Sequence, residues 1–127
     1  MANEITISTS VGCINGLDRT PFSPASQQFD QTGKDVNEYT LTVTDAGYTA
    51  LSKANITNLG LCVIHNLSVT AADIIYVSFD DGTTDHLELP PKAWTLQWLK
   101  SDYDITTLKI TAAAGKTVLV KARVYEK

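Results

Sequence analysis

Gly60-Leu61-Cys62-Val63-Ile64-His65-Asn66-Leu67, then Ile74-Ile75-Tyr76-Val77-Ser78-Phe79, then the turn Asp80-Asp81-Gly82-Thr83: this stretch decides the fold. Leu59 to Leu67 is apolar almost throughout, the pattern of a strand covered on both faces or crossing the centre of a sandwich. The run Ile74–Phe79 reads as a second strand. Asp-Gly between two such runs is a hairpin signal, because both residues tolerate positive φ. His86-Leu87-Glu88-Leu89 pairs back, and Pro90-Pro91 ends it, since neither proline can donate to a ladder.

The pattern continues in both directions. Glu38 to Thr44 alternates, with Tyr39, Leu41 and Val43 on one face and Glu38, Thr40, Thr42 and Thr44 on the other. Asp45 suits a helix N-cap, which predicts one or two helical turns near 46–53. Trp94, Leu96 and Trp98 alternate with Ala93, Thr95 and Gln97, so two indoles share one side of a strand. Leu108 and Ile110 form a short strand before the Ala112–Gly115 turn, and Val118, Val120, Ala122 and Val124 mark the closing strand. Upstream, Ile5 and Ile7 alternate with polar residues, Gly12 to Pro24 has no period, and Ser26 to Gln31 re-enters the sheet around Phe29. About eight short strands separated by turns predict an all-β protein, an antiparallel β-sandwich or jelly roll. The whole chain, 1–127, reads as a single domain, with 1–24 an extended N-terminal strand or arm.

Composition narrows the function classes. With 127 residues, 43% hydrophobic and 19% charged, the chain has the make-up of a globular protein. The formal net charge is −4 and the ten basic residues are scattered, which argues against a nucleic-acid partner. The loose trio Lys116, Lys121 and Arg123 fits solvated outward positions. No apolar run reaches the roughly 18 residues of a membrane span. The N-terminus shows no basic start with an apolar core, so folding in a cytoplasm is expected. Cys13 and Cys62 form no CxxC pair; buried free thiols are expected, with a disulfide between them as the alternative.

Catalytic chemistry is hard to assemble from these residues. His65 and His86 are the only candidates for an acid/base group at neutral pH, and His65 lies in an apolar strand, where a structural role is expected. No nucleophile elbow, phosphate loop or His-Glu-x-x-His pattern occurs. Asp80, Asp81, Asp85 and Glu88 read as a solvated turn rather than a calcium site, because the ligand spacing of an EF-hand is missing. Trp94 and Trp98 allow two roles. Large aromatics fill sandwich cores, yet same-side indoles on a strand can also meet a partner or stack on a sugar. The residues predict no enzyme, no cofactor and no metal.

The order of motifs resembles a group of small β-rich virion structural proteins of tailed bacteriophages, of the head-decoration or cement type. It runs Phe29-Asp30-Gln31-Thr32-Gly33, the strand Tyr39–Thr44, the small-residue segment Asp45–Ser52, Leu59–Leu67, Ile74–Phe79, and Leu87-x-Leu89-Pro90-Pro91 leading to Trp94–Leu99. The likeness spans roughly residues 26–127. It departs at Pro90-Pro91-Lys92-Ala93, where family members commonly carry Gly-Glu in a turn. The resemblance implies a capsid decoration protein that bridges and stabilises capsomers, with a tail, neck or fibre-anchoring subunit as the alternative. It also implies residence in the virion, assembly in the host cytoplasm, contact with the major capsid protein or other virion proteins, and self-association as a trimer. From the residues themselves a carbohydrate-binding module is a further possibility. The interface candidates are Pro21, Phe22 and Pro24 in the aperiodic segment, and Trp94 and Trp98.

Overall fold

The computed structural model describes residues 5–10, 25–29 and 35–127. The chain divides into two compact units, Met1–Thr32 and Gly33–Lys127. In the first, β1 (Ile5–Ile7) pairs antiparallel with β2 (Gln27–Phe29), Ile5 opposite Phe29. Phe29 does lie on a strand, but β2 pairs with β1 in a two-stranded sheet of its own instead of re-entering a larger one. Pro21, Phe22 and Pro24, and most of the expected 1–24 arm, lie outside the described residues.

The second unit is a sandwich of eight antiparallel strands. They are β3 (Val36–Thr44), β4 (Thr49–Ala50), β5 (Leu59–Asn66), β6 (Ile75–Ser78), β7 (Leu87–Leu89), β8 (Trp94–Trp98), β9 (Lys109–Ala112) and β10 (Thr117–Glu126). One sheet runs β3-β10-β5-β8 and the other β4-β9-β6-β7. The pairs β3/β10, β4/β9, β5/β8 and β6/β7 nest as one long hairpin would. Rolling that hairpin so that it folds into two sheets gives the jelly-roll topology. The sequence predicts this class, and the strand order selects the jelly roll within it.

The core follows from the alternation. Val118, Val120, Ala122 and Val124 of β10 are all buried, as are Val43, Cys62, Ile64, Ile75, Val77, Ile110 and Ala112. Leu119, Lys121 and Arg123 point the other way, toward solvent. Cys62 is a free thiol, and burial pushes its pKa up to about 12.

The helical turns expected near 46–53 do not form. Residues 45–47 turn, and the chain then enters β4, where Thr49 pairs with Ile110 and the N–H of Leu51 donates to Leu108 O at 3.0 Å. Gly47 and β-branched Thr49 disfavour a helix, and the segment must cross from one sheet to the other. The Asp45 carboxylate accepts from Gly115 N at 2.6 Å instead of capping a helix. The only helical turn among the described residues is a 3-10 turn at Ile105–Thr107, capped by Asp104, whose side chain accepts from Thr106 N.

The Asp-Gly hairpin signal holds in its dihedrals, with φ of 65° at Asp81 and 81° at Gly82. A Cβ at Gly82 would lie 2.8 Å from the Tyr48 ring, so this corner needs glycine for space as well as for φ.

Candidate interaction surface

The two outer sheet faces differ in chemistry. On β4-β9-β6-β7 the outward residues include Lys109, Thr111, Tyr76 and Glu88, a mostly polar set. The register of β3-β10-β5-β8 builds something else. Trp98 lies opposite Leu61. Leu96, Val63, Arg123 and Glu38 form one row across the sheet, and Trp94, His65, Lys121 and Thr40 form the next. An aromatic and aliphatic strip on β8 and β5 therefore runs beside a charged strip on β10 and β3.

Trp94 and Trp98 are 51% and 49% exposed, and Leu119 on the same face is 48% exposed. The indoles thus belong to the surface rather than to the core. The physical reason lies in the edge position of β8. Its inward residues, Thr95 and Gln97, are half-buried and satisfy each other, Gln97 Nε2 donating to Thr95 Oγ1 at 3.0 Å. Alternation then forces Trp94, Leu96 and Trp98 outward together. They span about 13 Å along the strand at ~3.3 Å per residue.

The neighbouring strip carries two cations on one anion. Arg123 Nε lies 2.7 Å from Glu38 Oε2, and Lys121 Nζ lies 3.9 Å from Glu38 Oε1. The Arg123 guanidinium also sits 5.4 Å from the Tyr125 ring centroid. The ring contact and the ion pair together restrain the guanidinium. An outward face that combines exposed Trp and Arg with a half-buried Tyr has the composition of a protein-binding hot spot.

The other candidate residues have structural employment. Asp80 is the hub of the β6–β7 loop: its Oδ1 accepts from Ser78 Oγ at 2.7 Å, Thr84 N at 2.8 Å and Thr83 N at 3.2 Å. These bonds, led by the Ser78 hydroxyl, hold its pKa down at about 2. Asp81 pairs with Lys109 Nζ at 2.6 Å, and Asp85 accepts from the Tyr48 hydroxyl at 2.5 Å. His86 accepts from Phe79 N through Nδ1 at 3.2 Å, its ring tilted against that of Phe79. His65 sits on the outer face of the opposite sheet, so the two histidines are not brought together. Among the described residues no group of three or more His, Cys, Asp or Glu is arranged to hold a metal ion.

Two shallow depressions open near the β3–β4 end of the sandwich. One is lined by Val36, Asn37, Lys53 and Asn55, the other by Leu51, Tyr103, Asp104 and Thr106. Neither includes a histidine or a cysteine. No helix among the described residues is long and apolar enough to cross a membrane.

Comparison with protein-family models, with curated proteins and with solved structures returns no match. The likeness to phage virion proteins therefore stands on the order of its motifs alone.

Proposed function

We propose that the protein is a non-enzymatic structural subunit of a tailed-bacteriophage virion, bound to the outside of the head as a decoration protein that bridges capsomers. What supports this reading, beyond the motif order, is the outer face of β3-β10-β5-β8. It sets two half-exposed indoles beside an arginine-bearing charged strip, while Leu61 on the same face is buried. Many modest contacts of this kind, repeated over a lattice, stabilise a shell by mass action. The partner is the major capsid protein or another virion protein, and self-association belongs to the same proposal. The jelly roll serves in capsid and lectin domains alike, so the fold alone does not choose.

The test is co-sedimentation of the purified protein with expanded heads that lack it. Bound protein should raise the melting temperature of the heads, and Trp94→Lys should weaken binding at least tenfold while leaving the fold intact. Binding unaffected by Trp94→Lys would remove this face from the interface, and no binding at all would remove the head. A tail or neck subunit would bind tail structures in place of heads.

One observation favours a second reading, a carbohydrate-binding module: two half-exposed indoles on one side of one strand can stack on sugar rings. Tryptophan fluorescence separates the two. A saturable shift with added glycan, lost in Trp94→Ala, supports the module; silence across a broad glycan set opposes it.

A further inference from the structure

His86 closes the mouth of the β6–β7 hairpin twice. The strand pairing ends at Val77–Leu87, and just past it the His86 N–H donates to Val77 O at 2.8 Å. The His86 ring then accepts from the backbone N–H of Phe79, through Nδ1, at 3.2 Å. An imidazole nitrogen that accepts a hydrogen bond carries no proton. This bond therefore exists only while the ring is neutral, with its one proton on Nε2. Nε2 in turn lies 4.0 Å from Asp80 Oδ2, too far for a hydrogen bond but close enough to attract a charged ring.

The two partners favour opposite charge states. The Phe79 N–H holds the neutral imidazole, and the Asp80 carboxylate favours the imidazolium. Asp80 stays ionised wherever an imidazole titrates, because the loop's hydrogen bonds hold its pKa at about 2. Those bonds fall on Oδ1, while Oδ2 is the oxygen that faces His86. The other charged groups of this corner are engaged. Asp81 pairs with Lys109 of β9, and Asp85 accepts from the Tyr48 hydroxyl. Glu88 follows two residues along the chain, on the side of β7 that His86 shares. Tyr103, from the β8–β9 connection, donates its hydroxyl to Phe79 O at 3.1 Å. The Phe79 residue is thus held at its C=O by Tyr103 and at its N–H by His86. The His86 side chain is 39% exposed, so it has room to turn.

From this geometry we propose that His86 is a proton-operated latch on the β6–β7 hairpin. Neutral, the ring locks the Phe79 N–H. Protonated at Nδ1, it releases that N–H and turns toward Asp80. The latch is closed above the midpoint of the His86 titration and opens as pH falls through it, within the range of about pH 5 to 8 where imidazoles change charge. The hairpin stays folded, because Asp80 still binds Ser78 and Thr84 and Tyr103 still holds Phe79 O. The change is local. The Phe79 amide is freed, and a positive charge appears beside an acidic loop. The device belongs to the β4-β9-β6-β7 sheet and does not depend on the virion assignment.

NMR of the full chain tests it. At about pH 8, long-range nitrogen–proton spectra should show His86 as the Nε2–H tautomer. Between about pH 8 and pH 5 the protection of the Phe79 amide, corrected for intrinsic exchange, should fall roughly fivefold or more, the worth of one hydrogen bond. Its midpoint should coincide with that of the His86 ring, while the amide of Val120, buried in β10, keeps its protection. His86→Asn offers a non-titrating Oδ1 at about the reach of Nδ1 and should keep Phe79 protected at the acid end. Asp80→Asn retains an acceptor for Ser78 and Thr84 and should move the His86 midpoint to lower pH. An Nδ1–H tautomer, a Phe79 amide indifferent to the His86 titration, or the same loss in His86→Asn would overturn the proposal.

Discussion

Single side chains fix the corners of this sandwich, and Asn66 does most at the end of β5. It is fully buried, its Nδ2 donates to Asp73 O at 2.7 Å and Leu89 O at 3.0 Å, and its Oδ1 accepts from Ser68 N at 3.0 Å. Asn66→Ala would strand those three backbone groups, so a loss of about 2–3 kcal/mol is expected in urea unfolding. Asp80 makes a different prediction. Its pKa is lowered from 3.8 to about 2 in the folded protein, so its contribution is fully present above the unfolded value. That contribution fades as pH falls from about 4 toward 2. A carboxyl carbon titration by NMR should place its midpoint near 2, and a midpoint near 4 would mean that the Ser78 and Thr84 bonds are absent in solution. Neither role is legible in the sequence. Asn66 reads only as a strand end and Asp80 only as part of an acidic turn, because both act through backbone groups that are brought close by the fold.

At the scale of the element, β8 is where pattern and position part. Period-two alternation correctly puts both tryptophans on one side of a strand, but alternation does not say which side faces the core. Elsewhere the apolar side is the inner one, as Val118, Val120, Ala122 and Val124 show on β10. On β8 the order reverses, because an edge strand can leave Thr95 and Gln97 half-buried at low cost. Trp94→Lys and Trp98→Lys should each shift stability by less than about 1 kcal/mol, as at exposed sites. Were the indoles buried, the loss would be about 3–5 kcal/mol, as for large aromatics in cores. Thermal or urea unfolding of the two variants decides it. The segment 46–53 fails for a related reason: an N-cap residue and a short apolar spacing look helical locally, while crossing between sheets demands β4.

For the whole molecule, the fold class was readable because eight runs of alternation with turn residues between them leave few alternatives to two packed antiparallel sheets. The nested pairing was not, since strand order depends on contacts between residues as distant as Val36 and Tyr125. The function is least legible. A jelly roll sets out rigid faces, and what each face meets is a property of the assembly. The contrast between the mostly polar outer face of β4-β9-β6-β7 and the tryptophan-bearing face of β3-β10-β5-β8 is the physical basis for reading the protein as a subunit built to dock. The most direct measurement is its copy number in purified particles of the virus whose genome would encode it, by quantitative mass spectrometry. Hundreds of copies in simple ratio to the major capsid protein are expected of a lattice-bound decoration protein. Absence from the particle would contradict the virion assignment outright.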